Sequence, residues 1–520
     1  MSDYPPSFAA ALHAIADHTV TQSQQITSAS PTASRAALDS ALLSLPQSLS
    51  QHGLGFDETV RLLQERVAPA LAPGQAGPRY YGFVIGGVAP TAHVADHLVT
   101  AYDSNVQVNL HQETIATWIE DQTLRQLCQL FGLDPAQYPS RTLTTGATSS
   151  NILGLAMGRE HALKQIKGQH WSVAEDGFGG VEVKVLCAGA HASTIKAASI
   201  VGFGRSNCIE IITGEEDQPC AFDLDELEEA LEGAKGKGQG AIVVASLGEV
   251  NTGGCTPHLP KVRSLCTKYS AWLHMDAAFG AFACLHPDFN HLSSDMALAD
   301  SITSDAHKWA QTPYDCGIFL AKGTLLPDIC GPGSKSAPPA YLSAAGSRGD
   351  NIPTDPHLNS LRTAFAQQRS PLHMNLENSR RFRALPLYAN LVSLGREGYQ
   401  ELVCRNIAFA RAVEQWLRAS PNWDILTPLA YKSSNDEDFK VMNIVLFAPS
   451  RNCSDPGLRG EGGAAEVGRR INSDGTIYVS GTSWRGRGAL RMAISNWMTT
   501  LERDLPIVIQ ALEKTMKKRQ

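Results

Sequence analysis

Lys308, in His307-Lys308-Trp309, is an amine flanked by an imidazole and an indole, and upstream of it the apolar run Trp272-Leu273-His274-Met275-Asp276-Ala277-Ala278 carries a carboxylate. These two residue types suit one chemistry. A lysine amine condenses with an aldehyde to a Schiff base, and a carboxylate at the end of an apolar strand holds a pyridine nitrogen protonated, so the pair points to pyridoxal 5'-phosphate. A protonated pyridine is an electron sink. An amine with an ordinary pKa of about 10.4 becomes nucleophilic when it is desolvated or placed near positive charge, and the flanks of Lys308 predict a partly buried site. Thr144-Thr145-Gly146-Ala147-Thr148-Ser149-Ser150-Asn151 precedes a helical pattern at 152–157, which gathers amides and hydroxyls where a phosphate would bind. A plain loop and N-cap is the competing reading, since small hydroxyl residues favour that position anyway. His191 follows an apolar run at 183–188 and is placed either to stack on a planar cofactor or to sit satisfied in the core.

The elements that must hold these residues are legible in the apolar pattern. Runs at 183–188, 241–247, 271–275 and 317–321 are rich in Val, Ile and Ala without strict alternation, as expected for strands covered on both faces. Phe222-Asp223-Leu224-Asp225-Glu226-Leu227 opens a crossover helix behind an acidic cap, closing near Gly233. An α/β fold with a mainly parallel central sheet follows. Ligands of such sheets sit at the carboxyl ends of strands, where Asp276 is expected.

Three segments are predicted: an N-terminal helical stretch over 1–79, a large α/β domain over 80–375 and a smaller α+β C-terminal domain over 376–520. The last contains a long helical stretch through Gln415 and strands near 441–447, 476–480 and 489–494. Between 323 and 369 the chain is rich in Pro, Gly and Ser, which predicts a mobile loop. The stretches 174–180 and 451–463 also read as exposed loops.

The 520 residues are 43% hydrophobic and 18% charged, enough for large cores. A net charge of −7 gives no electrostatic case for nucleic acid or an anionic membrane surface. The eleven cysteines show no Cys-x-x-Cys or zinc spacing, so neither a metal site nor a disulfide framework is expected and the reducing cytoplasm is the expected compartment. No apolar run approaches the roughly 18 residues of a membrane span.

Taken together, these motifs resemble the pyridoxal-phosphate-dependent group II decarboxylases, which include the aromatic amino acid, histidine and glutamate decarboxylases. Pro78-Arg79-Tyr80-Tyr81-Gly82-Phe83 is similar to the family's substrate-pocket segment, Thr145 to Asn151 to its phosphate loop, and Arg380-Arg381-Phe382-Arg383-Ala384-Leu385 to the segment opening its C-terminal domain. The resemblance implies a fold of the aspartate aminotransferase type (fold type I) and a homodimer with active sites at the subunit interface. It implies Lys308, His191 and Tyr341 as catalytic residues, the last in a flexible-loop motif, Pro338-Pro339-Ala340-Tyr341-Leu342, where the tyrosine would return a proton after carbon dioxide leaves. Cofactor contacts are then expected from Gly146, Ala147, Thr148, His191, Ser246, Asp276, Ala278, His307 and Lys308. Substrate contacts are expected from Tyr81 and Phe83, whose alternative role is core packing and whose type suggests an aromatic or apolar side chain.

Two departures stand out. Asp305-Ala306 occupies the place where many members carry Asn-Pro, which puts a carboxylate beside the phosphate unless it turns away or pairs. Glu249 replaces a small hydroxyl residue and raises the expectation of an unusual substrate preference. The implied function is decarboxylation of an L-amino acid to its amine. A carbon–carbon lyase, with Arg485 and Arg487 for a substrate phosphate, a transaminase, and a non-catalytic binding protein of the same fold are the alternatives.

Overall fold

In the computed structural model, which describes residues 4–214, 218–331, 355–427 and 441–517, the four unalternating apolar runs form four strands of a seven-stranded sheet. Its strands are β1 (Ser140–Thr144), β2 (Val183–Cys187), β3 (Cys208–Glu210), β4 (Gly240–Ser246), β5 (Trp272–Asp276), β6 (Ser301–Asp305) and β7 (Gly317–Ala321), in the order β1-β7-β6-β5-β4-β2-β3. The strands β3, β2, β4, β5 and β6 run parallel, while β7 is antiparallel to both β6 and β1. Every residue of β4, β5, β6 and β7 is buried, which is why these stretches carry no alternation.

The helix Ala147–Lys167 lies on this sheet against β4, β5, β6 and β7. Two missing side chains permit the approach. A Cβ at Gly158 would stand 2.7 Å from Ile242 Cδ1, and one at Gly154 would overlap the His274 imidazole. The expected crossover helix is Leu224–Gly236, capped by Asp223, whose carboxylate accepts from the amides of Asp225 and Glu226.

The turn after Lys308 is held by the helix Ala384–Ala419, which leaves helical geometry at Gly395. Trp309 is fully buried and donates through Nε1 to Asn406 Oδ1 at 2.8 Å. Asn390 donates to the carbonyls of Ala310 and Gln311 at 3.0 and 3.1 Å, and the Tyr399 hydroxyl donates to Ala310 at 3.3 Å. The backbone beside the lysine is thereby tied at three points along one helix.

The chain divides into two compact units, 88–407 with 427–444, and 1–87 with 408–426 and 445–520. This differs from the expected boundaries at 79/80 and 375/376. Backbone hydrogen bonds explain the first shift: Tyr478 N donates to Arg79 O, Tyr81 N to Tyr478 O and Ala493 N to Tyr81 O, which knits 79–81 to the C-terminal chain. The smaller unit holds a second sheet of β8 (Trp423–Ile425), β9 (Ile444–Pro449), β10 (Ser480–Trp484) and β11 (Arg487–Ala493), ordered β10-β11-β9-β8. The strand expected at 476–480 therefore begins where that stretch ends. The stretch read as a loop from 323 to 369 contains the helices Leu326–Cys330 and Pro356–Ala366. Asp355-Pro356 is a cap followed by proline at the first helical position, a start signal that the Pro and Ser content of the stretch obscured. Likewise 174–180 begins within the short helix Val173–Asp176.

Arg380 and Glu120 form a buried two-pronged ion pair, at 2.6 and 2.9 Å, joining the segment before the long helix to the helix Ala116–Leu130. Arg380→Ala strands the Glu120 carboxylate in the core, and a loss of about 3–5 kcal/mol of stability is expected. The double variant Arg380→Met/Glu120→Leu should recover most of that loss in a urea melt; a single variant as stable as the parent would refute the assignment.

Candidate active site

Five strand ends of the large sheet open on one cavity of 350 Å³, within the range of roughly 300–1,000 Å³ common for small-molecule sites. The turn after β1 contributes Thr145 to Ser149, the turn after β2 contributes Gly189 and His191, and the end of β4 contributes Ser246 with Gly248 and Glu249 beyond it. From β5 come Asp276, Ala278 and Phe279, and from β6 come Asp305, His307 and Lys308. Lys308, Asp276, His191, Ser246, Ala278, His307 and Gly146-Ala147-Thr148 are thus brought together. A larger cavity of 630 Å³, bordered by Trp118, Arg141 and Arg369, lies in the same unit. It lacks this donor set, and its Arg141 is already paired with Asp121 at 2.7 Å.

Asp276 is buried, and two N–H donors reach it: Asn151 Nδ2 at 3.0 Å from Oδ2 and Ala278 N at 3.2 Å from Oδ1. Together the two donors fix the plane of the carboxylate. Lys308 Nζ lies 2.9 Å from Asp305 Oδ2 and 6.0 Å from the centroid of the Phe279 ring. Asp305 is therefore the lysine's counter-ion. Its Oδ1 also accepts from Ala147 N at 2.7 Å, at the start of the helix Ala147–Lys167. The carboxylate flagged beside the phosphate position thus both pairs and caps.

His307 accepts from Cys316 N at its Nδ1, leaving Nε2 to face Asp305 Oδ2 at 3.6 Å. Burial lowers its pKa, with Asp305 opposing, so the ring is neutral at neutral pH. The Ser246 hydroxyl is 3.3 and 3.2 Å from the carbonyls of Ala188 and Gly189 and donates to that turn. Glu249 turns back on its own loop: Oε1 accepts from Asn251 N and Nδ2, and Oε2 from Thr252 N and Oγ1, all at 2.8 to 2.9 Å. Its acidity is taken up in closing that turn, a structural role the residue type did not disclose.

Tyr81 and Phe83 belong to the other unit. Tyr81 is fully buried, its ring 6.1 Å from that of Phe409, and burial raises its hydroxyl pKa. That is the packing alternative. Phe83 is exposed with φ 50°. Tyr341 lies outside the described residues. Sequence reasoning passed over Ser193 and His274 and assigned Asn151 no individual role. His274 carried a readable signal: two residues before Asp276 on a strand, it must share the carboxylate's face.

The donor set fits pyridoxal phosphate. An amine, a held carboxylate and an imidazole border one cavity with small residues at Gly248 and Ala278, and the amides of Thr148 and Ser149 lack partners inside their helix. Asp305 on Ala147 N shows that an anionic oxygen is stable at this helix start.

Comparison with known proteins agrees. The pyridoxal-dependent decarboxylase conserved domain matches residues 42–330. The chain is 27% identical over 351 residues to L-2,4-diaminobutyrate decarboxylase of Acinetobacter baumannii, covering 66% of this chain and 63% of that protein. It is 25% identical over 454 residues to tryptophan decarboxylase 1 of Oryza sativa subsp. japonica, covering 85% of this chain and 80% of the relative. The crystal structure of Oryza sativa TDC with PLP and tryptamine shares the fold with a TM-score of 0.79 at 21% identity, over 99% of both chains. With the domain matched over more than half its length, the chain belongs to the pyridoxal-dependent decarboxylase family.

Proposed function

We propose that this protein removes the carboxyl group of an L-amino acid with an aromatic side chain, releasing the amine and carbon dioxide. The observation that carries the reading is the meeting of Lys308 and Asp276 in one cavity, from the ends of the neighbouring strands β5 and β6. Lys308 would hold pyridoxal phosphate through its amine, Asp276 would face the ring nitrogen, and the amides of Thr148 and Ser149 would take the phosphate. When bound, the cofactor supplies the electron sink for the pair left by the departing carboxylate. Asp276, oriented by N–H donors from Asn151 and Ala278, would stabilise positive charge beside it. Phe279 gives the cavity an apolar wall and supports an aromatic side chain, as do relatives named for tryptophan. Tyr341 belongs to this proposal as the residue that returns a proton to the α-carbon.

A homodimer and a cytoplasmic location complete the reading. On the helix Pro90–Tyr102, Val94, Leu98 and Tyr102 follow at four-residue spacing with 66%, 47% and 79% of their surface exposed, an apolar stripe suited to a second copy. All eleven cysteines are free thiols, and no helix among the described residues is long and apolar enough to cross a membrane.

Cofactor-loaded protein incubated with a panel of L-amino acids is expected to yield aromatic amines by mass spectrometry. Lys308→Ala should abolish the product, and Tyr341→Phe should slow it by about 100-fold with cofactor binding retained. Aldehyde or keto products, or turnover confined to non-aromatic substrates, would overturn the proposal. Asp305→Asn removes the charge that competes with phosphate for Ala147 N and pairs with the Lys308 amine. It should lower the cofactor Kd about 10-fold, equivalent to about 1.4 kcal/mol, in a fluorescence titration, and a weaker Kd would contradict that role. Sedimentation at micromolar concentration should return twice the chain mass; a monomer that retains activity would remove the dimer.

A further inference from the structure

From behind the cavity floor to the exposed His191 runs a chain of polar groups whose hydrogens can be assigned one by one. Asn151 and His274 are fully buried, as is Ser301. His274 Nε2 lies 2.9 Å from Asn151 Oδ1 and its Nδ1 lies 2.8 Å from Ser301 Oγ, which accepts from Trp272 Nε1 at 2.9 Å. Asn151 Nδ2 is shared between Asp276 Oδ2 at 3.0 Å and Ser193 Oγ at 3.2 Å. Ser193 Oγ lies 2.7 Å from His191 Nδ1, which also accepts from Ser193 N at 3.2 Å.

Two ends of this chain have only one possible sense. An ionised carboxylate only accepts, so the amide nitrogen of Asn151 faces Asp276 and its oxygen faces His274. His274 must then carry its proton on Nε2, and Ser301 donates to Nδ1. At the other end a backbone N–H only donates, so Nδ1 of His191 is bare and the ring proton sits on Nε2. The Ser193 hydroxyl, accepting from Asn151, spends its one hydrogen on that same Nδ1. Burial lowers the His274 pKa to about 4, which keeps this ring neutral and able to donate and accept at once. The helix makes room for it, since a Cβ at Gly154 would occupy the place of the His274 ring.

We propose that Asn151 and His274 are positioning residues for the cofactor contact at Asp276: His274 fixes the Asn151 amide, which holds Asp276 as an oriented carboxylate and also donates to the Ser193 hydroxyl beside His191. The proposal rests on the cofactor reading of the cavity but not on the identity of the substrate. Asn151, His274 and Ser301 are fully buried, so water does not replace them and a break there reaches Asp276.

Magic-angle-spinning NMR of the full chain, labelled with 15N in the histidine rings, reads the tautomers directly, with His191→Gln assigning the His191 signals. The parent is expected to show His191 bare at Nδ1 and protonated at Nε2 before cofactor is added. Asn151→Leu should raise the pyridoxal phosphate Kd by at least about 10-fold while the Ser193 amide keeps Nδ1 of His191 bare. His274→Leu should do the same in smaller measure, while His274→Gln, which still presents an N–H to Asn151, should restore most of the affinity. Ser193→Ala leaves the backbone N–H on Nδ1, so it should keep the parent His191 tautomer and leave the Kd within about threefold, and the His274 pair keeps the test open should the Asn151 variant not fold. A parent His191 protonated on Nδ1, an Asn151 variant with the parent Kd, or a His274→Gln variant that binds no tighter than His274→Leu overturns the proposal. Failure to decarboxylate any amino acid, with the tautomer and Kd pattern intact, overturns the proposed reaction alone.

Discussion

The close seat of the helix Ala147–Lys167 on the central sheet is the constraint from which the rest of the site follows. Gly154 leaves the space that the His274 ring fills, and Gly158 does the same for Ile242. At the helix start the backbone is as tight, since a Cβ on Gly317 of β7 would stand 2.5 Å from Gly146 Cα. A helix held off by one layer of methyl groups would carry its first amides away from the strand ends and lift Asn151 off Asp276. The glycines that weaken a helix by about 1 kcal/mol each therefore set the depth at which its N-terminus meets the cavity.

On that platform one carboxylate does several things. Asp305 caps the helix through Ala147 N, neutralises Lys308 and faces the His307 imidazole. The lysine itself moves little in register, because the turn that follows is tied through Trp309, Ala310 and Gln311 to Asn406, Asn390 and Tyr399. A flexible amine on a rigid turn, opposite a carboxylate shared with a helix start, can exchange partners without the backbone shifting. A cofactor that brings its own anion and takes up the amine replaces both halves of the Asp305 interaction at once.

Much of this was legible in the chain because it depends on local chemistry. A lysine between His307 and Trp309, a carboxylate closing a buried strand and a small-residue turn before a helix each announce themselves, and the sheet brings them to one edge. What stayed hidden depends on partners far apart in sequence. β1 and β6 are polar in part, Ser140-Arg141-Thr142-Leu143-Thr144 and Ser301-Ile302-Thr303-Ser304-Asp305, and their burial comes from the helices above them rather than from their own hydropathy. Glu249 read as a substrate determinant, yet donors two and three residues away absorb its carboxylate. Tyr81 read as a pocket residue because a tyrosine in an apolar stretch is equally suited to core and cleft; backbone pairing with 478 and 493 placed it in the core of the smaller unit.

Neutral histidines explain how so much polarity survives inside the large unit. An imidazolium only donates, so a protonated His274 would confront the Ser301 hydroxyl with a second donor, and a protonated His307 would lose the bond from Cys316 N. Burial depresses both pKa values and so preserves the one form that can accept on Nδ1 while donating on Nε2. The same polarity then repeats on either side of the cavity, with Nε2 of His274 turned to Asn151 and Nε2 of His307 turned to Asp305. Each ring passes the orientation of a fixed donor, Trp272 through Ser301 or the Cys316 amide, to a group beside the cofactor site. Desolvation, usually a cost for an ionisable side chain, here selects the protonation state on which the order of the site depends.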